Sequence, residues 1–354
     1  METEIVKIRS ESDAFTPRED AALHRAGEIM LSGGLVAFPT ETVYGLGGDA
    51  FNRESSRKIY AAKGRPSDNP LIVHICRLED IGRVTSAFTP EAKKMAEAFW
   101  PGPLTMILPK AQQVPYETTG GLDTVAVRFP SDRTARKLIE YSGGFVAAPS
   151  ANLSGRPSPT SVKYVMEDMN GRIEMIIDGG DSVIGLESTI VDCTVSPPQL
   201  LRPGFITKEM LEGVLGRIDM DVTMMSADSG QAPKAPGMKY RHYAPKGELV
   251  IVEGEPEKVI AYINIHTAAD GMAGEKTGVI GISEYLDKYR ADSVKCIGSR
   301  SEEDGIARNL YTILRQFDDE NITRIYSEGF ETDGLGQAIM NRLLKAAGHH
   351  VVHV

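Results

Sequence analysis

The chain has 354 residues, is 41% hydrophobic and 25% charged, and carries a formal net charge of −10. That length predicts two domains with ample material for a core, and the acidic balance argues against broad nucleic-acid binding through the net field, although local patches can oppose the average. No apolar run approaches the ~20 residues of a membrane span, and the N-terminal METEIVKIRSESD has no apolar signal-peptide core, so a cytoplasmic protein is expected.

Thr16-Pro17-Arg18-Glu19 reads as a helix start, with Thr as N-cap, Pro at the first position and Glu closing a capping box. Leu23, Ala26, Gly27 and Met30 recur at helical spacing until Gly33-Gly34. LVAFP (35–39) reads as a strand, TETVYGLGGDA (40–50) as a loop, 53–62 as a helix and LIVHI (71–75) as the next strand. Thr89-Pro90-Glu91 opens another helix that ends at Trp100-Pro101-Gly102-Pro103. LTMIL, VAVRF and FVAAP follow as strands, with a helix at 132–141 between the last two; IEMIID and STIVD complete the set. This mixture predicts an α/β fold, a sheet packed with helices, with strand pairing unassigned.

The pattern breaks over 218–247, which separates a first domain (1–217) from a second (248–354) and reads as a linker. It is unusual for a passive spacer. Met238, Tyr240, His242 and Tyr243 add bulk, and Lys239 and Arg241 add charge; long ordered loops are more often functional. Beyond it, strand-like and helix-like segments alternate: ELVIVEG, a helix near 256–265, TGVIGIS, SVKCIGS, a helix near 302–317, ITRIYSEG and a helix near 336–347. They predict a small Rossmann-like parallel α/β domain. GLGQAI (334–339) is only part of a dinucleotide fingerprint, and close packing at a helix start is its plainer reading. Cys76, Cys193 and Cys296 follow no metal spacing; each lies in or beside a strand-like run and reads as a buried thiol.

Several polar loops sit at the ends of apolar strands. KGRPSDNPLIVHI places Lys63, Arg65 and Asn69 on an irregular loop just before the strand that carries His74. Two cations so close repel unless something negative lies between them, so an anionic guest is expected. Thr40, Glu41, Thr42 and Tyr44 follow strand 35–39, and Arg128 stands in VAVRF. Ser150, Asn152, Ser154 and Ser158 follow strand 145–149; Ser188 and Thr189 come with GLESTIVD, and Arg202 with LRPG. If these loops converge, the pocket is rich in hydroxyl, amide and guanidinium groups and poor in strong bases. There is no GxxxxGK[ST], HExxH or G-x-S-x-G. Such a pocket suits phosphoryl or adenylyl transfer, which needs anion neutralisation more than covalent help. Plainer readings stand beside these: turn roles for Gly45, Gly47 and Gly48, a satisfied core position for His74 and a structural ion pair for Arg128. Residue types and spacing alone reach an anion-binding α/β enzyme, with a nucleotide as a candidate guest.

The stretches PTETVYGLG, KGRPSDNPL with His74, WPGPLT, VAVRFP, APSANLSGRPSPT, GLESTIVD, LRPG and PGMKYRHYAP, in this order, resemble the threonylcarbamoyl-adenylate synthase family in its long two-domain form. The resemblance implies a YrdC-like N-terminal domain with a mixed twisted sheet. It implies a nucleotidyltransferase that joins L-threonine, bicarbonate and ATP into threonylcarbamoyl-AMP and pyrophosphate, with Mg2+ accompanying the ATP. It implies that the product passes to a transferase complex that modifies tRNA. Thr42, His74, Arg128, Ala148 and Ser188 would line the threonine site, with Arg128 on the substrate carboxylate. Lys63, Arg65 and Asn69 would hold the triphosphate. Thr124, Ser150, Asn152, Ser158 and Arg202 would contact the nucleotide, and Tyr243 would reach over it as part of a lid. Lys239, Arg241 and Tyr243 are candidates for positioning bicarbonate.

Two other functions compete. One is an RNA-binding module using the cluster Arg53, Arg57, Lys58, Lys63 and Arg65, against which the acidic total charge argues; direct tRNA binding stays open. The other is a carbamoyl-transfer enzyme making carbamoyl-adenylate from carbamoyl phosphate, which would bring further catalytic domains that this chain lacks.

Overall fold

The computed structural model describes residues 2–8, 14–221 and 242–354. The chain divides into two compact units: one within residues 1–239, the other holding 240–354 together with Gly155–Pro157 and Ile184–Leu186.

The first unit opens with β1 (Glu4–Lys7), α1 (Pro17–Leu31), β2 (Val36–Phe38), β3 (Gly45–Asp49), α2 (Arg53–Lys63) and β4 (Ile72–Ile75). It continues with α3 (Pro90–Phe99), β5 (Leu104–Pro109), α4 (Tyr116–Thr119), β6 (Thr124–Arg128), α5 (Arg133–Tyr141) and β7 (Phe145–Ala148). It closes with α6 (Val162–Met169), β8 (Met175–Asp178), β9 (Thr189–Asp192), β10 (Gln199–Arg202), α7 (Lys208–Leu215) and β11 (Asp219–Met220). All these strands form one sheet in the order β1-β8-β2-β3-β7-β4-β6-β5-β9-β10-β11. The sheet is mixed: β4 pairs parallel with β6 and antiparallel with β7.

Local sequence explains the helix ends that matter. Thr16 and Glu19 form the expected capping box: Thr16 Oγ1 accepts from Glu19 N, and Glu19 Oε2 accepts from Thr16 N. Asn52 caps α2, and Gly64, in the left-handed region at φ 61°, stops that helix directly after Lys63. The stretch expected to be a loop at 40–50 ends instead in strand β3. Its glycines Gly45, Gly47 and Gly48 lie in that strand rather than in a turn. A Cβ on Gly47 would lie 2.7 Å from Val146 Cγ1 and 2.8 Å from Phe38, so only bare backbone fits between them.

The two sheet faces are covered differently. One face carries the main core, where Val73, Val127, Met106 and Val191 meet Ile59, Met95, Val165 and Leu211 of α2, α3, α6 and α7. On the other face, α1 and α5 pack over Val36, Phe38, Val146 and Ala148. Further along that face, Ile72, Ile107, Ala126, Ile190 and Leu201 form a small cluster made by strands alone.

The second unit contains β12 (Glu248–Glu253), α8 (Pro256–Met272), β13 (Thr277–Ile282), β14 (Ser293–Gly298), α9 (Glu303–Asp319), β15 (Arg324–Glu328), α10 (Gly334–Ala346) and β16 (Val351–His353). Its sheet order is β14-β13-β15-β12-β16 and every pair is parallel. GLGQAI is the start of α10, where a Cβ on Gly336 would meet Glu331 O at 2.5 Å; close packing accounts for that glycine. Cys193 is buried and Cys76 half-buried, but Cys296 is exposed. The buried-thiol expectation fails there because β14 is an edge strand whose Ser293, Val294 and Lys295 are only half-buried. No helix among the described residues is long and apolar enough to cross a membrane.

Candidate active site

Strand register alone gathers much of the site. Val146, His74, Arg128, Thr105, Ile190 and Arg202 form one row across β7, β4, β6, β5, β9 and β10, each the Cα partner of the next. Direct partners present their side chains on the same face. The adjoining row is Ala148, Ile72, Ala126, Ile107 and Asp192. A polar row therefore borders a mainly apolar one on the part of the face to which no helix contributes core residues. Thr124, two residues before Ala126 on β6, is on this face one row further.

Arg128 is 4% exposed, and its Nη2 lies 2.8 Å from Glu41 Oε1. Ser131 N donates to the same Glu41 oxygen at 3.1 Å. Burial pushes the Glu41 carboxyl up, but the Arg128 charge and these hydrogen bonds outweigh it and hold the group below the usual carboxylate range. The pair is not saturated: Nη2 is taken up by Glu41, but Arg128 Nε and Glu41 Oε2 are buried without a hydrogen-bond partner. Orphaned buried donors of this kind are costly unless a ligand meets them. Beside them, His74 Nδ1 is 3.1 Å from Ile72 O. Burial, helped by the Arg128 charge, pushes His74 down to about 3, so the ring is neutral. His74 is thus the satisfied core residue of the plainer reading, and it also stands in the polar row.

Arg202 ties β10 to the loop before β9. Its Nε donates to Ser188 O at 3.0 Å and its Nη2 to Ser188 Oγ at 3.2 Å, while Ser188 Oγ is 2.7 Å from Thr105 Oγ1. Lys63, the last residue of α2, donates through Nζ to the carbonyls of Ser150 and Asn152, and Ser150 Oγ bonds Asn152 Oδ1 at 2.5 Å. Arg65 folds back on its own loop, donating to Asn69 O at 3.3 Å and Pro70 O at 3.1 Å. Lys63 and Arg65 are therefore each balanced by carbonyl dipoles, and their mutual repulsion does not by itself demand an anion. Asn69 Oδ1 is buried without a partner. Ser158 Oγ donates to Glu187 Oε1 at 2.6 Å, and Thr42 Oγ1 is 2.8 Å from Thr40 Oγ1.

The structure thus connects Lys63 with Ser150 and Asn152, Ser188 with Arg202, and His74 with Arg128 through strand pairing, while Ala148 pairs with Ile72 in the adjoining row. It shows no such link for Thr124. Tyr243 belongs to the second unit, where it packs on Tyr311 at 5.2 Å between ring centroids. Lys239 and Arg241 lie outside the described residues. Sequence reasoning passed over two contributors, the Ser188 partner Thr105 and the Ser158 partner Glu187, and named Glu41 without its pairing to Arg128. The available signals were a carboxylate inside PTETV and a single hydroxyl inside LTMIL. Among the described residues no three His, Cys, Asp or Glu side chains group as a metal site.

Residues 28–204 match the Sua5/yciO/yrdC family model, described as telomere recombination, and residues 206–348 match the model of the threonylcarbamoyl-AMP synthase C-terminal domain. A curated relative from Pyrococcus abyssi, named threonylcarbamoyl-AMP synthase, is 48% identical over 99% of this chain and 100% of its own length. One of the same name from Bacillus subtilis is 46% identical over 94% of this chain and 95% of its own length. The solved structure of P. abyssi Sua5 complexed with L-threonine is similar at a TM-score of 0.93 and 46% identity, covering 99% of this chain and 100% of that one. With both units matched and two relatives aligned over nearly their whole length, the chain belongs to the threonylcarbamoyl-AMP synthase family in its two-domain form.

Proposed function

We propose that this enzyme makes threonylcarbamoyl-AMP and pyrophosphate from L-threonine, bicarbonate and ATP in the cytoplasm, and that the product goes to a transferase complex that modifies tRNA. The observation that carries the residue assignment is the buried row His74, Arg128, Thr105 and Arg202, with its under-bonded Arg128.

Two bonds have to form. The threonine amine attacks the bicarbonate carbon, giving a carbamate as water leaves. A carbamate oxygen then attacks the α-phosphorus, and the bond to pyrophosphate breaks. Neither step requires a protein nucleophile; both require oriented anions and neutralised charge. Arg128 binds the threonine carboxylate through its guanidinium, whose Nε has no other acceptor. Thr42, neutral His74, Ala148 and Ser188 shape the rest of the threonine site. Lys63, Arg65 and Asn69 take the triphosphate by exchanging loop carbonyls for phosphate oxygens. Thr124, Ser150, Asn152, Ser158 and Arg202 hold the nucleotide. Magnesium accompanying the ATP would neutralise phosphate charge there; among the described residues no cluster of three His, Cys, Asp or Glu side chains would hold it.

The test is pyrophosphate release from magnesium and ATP with threonine or bicarbonate omitted in turn. Dependence on both supports the assignment. Release that ignores both, or that responds only to carbamoyl phosphate, favours the carbamoyl-transfer chemistry instead.

A further inference from the structure

The Arg128–Glu41 pair is an unusual receptor for a carboxylate. A lone buried guanidinium would attract any small anion, bicarbonate and phosphate included. Here a carboxylate oxygen stands 2.8 Å from the guanidinium, with both side chains under a tenth exposed. The pair is close to neutral overall, so an incoming bare anion gains from Arg128 and is opposed by Glu41 at nearly the same range. A zwitterion is not opposed, because its positive end can face the negative half of the pair.

The atoms left over point the same way. Ser131 N and Arg128 both engage Glu41 Oε1, which fixes the carboxylate plane and leaves Oε2 buried with no donor. Arg128 Nε is likewise buried without an acceptor. One free acceptor on Glu41 and one free donor on Arg128, held on a tethered pair, complement an ammonium and a carboxylate on adjacent atoms. Thr40 and Thr42 flank Glu41 and bond to each other, with Thr40 Oγ1 also donating to Val43 O at 2.6 Å, so these hydroxyls pin the loop that carries Glu41. Asp132, the N-cap of α5, is the other carboxylate nearby; its side chain already accepts from Ala135 N at 2.7 Å.

We propose that Glu41 is a specificity-determining residue of the amino-acid subsite: its Oε2 accepts a hydrogen bond from the substrate's α-ammonium while Arg128 takes the α-carboxylate. The inference rests on the reading of Arg128 as the threonine-carboxylate residue. It adds that the subsite selects zwitterions over simple anions and that Glu41 is the selecting group.

The experiment compares L-threonine with 3-hydroxybutanoate, which lacks only the ammonium, on the full-length protein and its Glu41→Gln variant. Binding is read by ligand-observed NMR, which reaches millimolar affinities. The wild type should bind threonine on the order of 10- to 100-fold more tightly than 3-hydroxybutanoate, as one charge-assisted hydrogen bond predicts. In the variant, threonine should weaken by about that factor while 3-hydroxybutanoate changes by less than about threefold, closing the gap. Equal weakening of both ligands would overturn the proposal, because Glu41 would then act only by holding Arg128 in place. If the glutamine variant does not fold, Glu41→Asp carries the same comparison: selective loss of threonine supports the contact, and equal loss overturns it. Failure of the wild type to bind threonine at all would instead remove the assignment of Arg128.

Discussion

Lys63 Nζ lies 3.4 Å from Asn152 Oδ1 and donates to the carbonyls of Ser150 and Asn152, tying the end of α2 to the loop after β7. A cation that loop carbonyls hold at this junction is placed to meet a phosphate group. Lys63→Met, which retains the apolar stem, should lower pyrophosphate release by at least about 100-fold. It should also cost about 1–3 kcal/mol of stability, because two loop carbonyls lose a charged donor. Steady-state pyrophosphate assays and denaturant titration check both halves, and near-normal turnover would remove Lys63 from the phosphate site.

Arg128→Ala leaves Glu41 buried without its counter-charge, which should destabilise the fold by about 3–5 kcal/mol. Adding Glu41→Gln to Arg128→Met should restore most of that stability, since no buried charge is then left unpaired. Threonine affinity should not return with it. Denaturant midpoints and threonine titrations of the variants separate the two effects; an unchanged threonine requirement in Arg128→Met would contradict the carboxylate assignment.

His74 sets a pH dependence with a definite sign. Its folded pKa is pushed from 6.5 down to about 3, so between these values the unfolded chain binds more protons than the folded one. Stability contributed by neutral His74 is fully present above about pH 6.5 and is lost on acidification, by about 1.4 kcal/mol per pH unit. Asp132 works the other way from about pH 4 to 6, because burial pushes its carboxyl from 3.8 up to about 6. Comparing wild type with His74→Gln isolates the histidine: the difference in stability slope should be positive with rising pH and vanish above pH 7. Identical slopes would mean His74 titrates normally.

Much of the site was legible because its residues lie in short polar motifs at strand ends. What composition and spacing could not show was pairing. His74, Arg128 and Thr105 occupy three segments between residues 74 and 128, and only parallel β4–β6 and antiparallel β5–β6 registers set them side by side. Glu41 was visible as a residue but not as the partner of Arg128, because that contact depends on how the loop before β3 folds. β3 itself was read as loop because GLGG has poor strand propensity; tertiary crowding by Phe38 and Val146 is what calls for glycine there. Strands β1, β11 and β16 have four residues or fewer, too short for periodicity to register.

Gly47→Ala tests that crowding. The added methyl would stand within 3 Å of Val146, Phe38 and Met30. Overpacking of this size should cost about 1–3 kcal/mol, with a fall in melting temperature. A neutral or stabilising result would show that β3 has slack.

The most direct test of the account follows the atoms. The full-length protein is incubated with ATP, magnesium, L-threonine and 13C-bicarbonate, and the products are resolved at once by mass spectrometry. The account predicts a labile adduct containing AMP, threonine and one 13C, formed together with pyrophosphate. Pyrophosphate accompanied by an AMP adduct without threonine, or without the label, would contradict it.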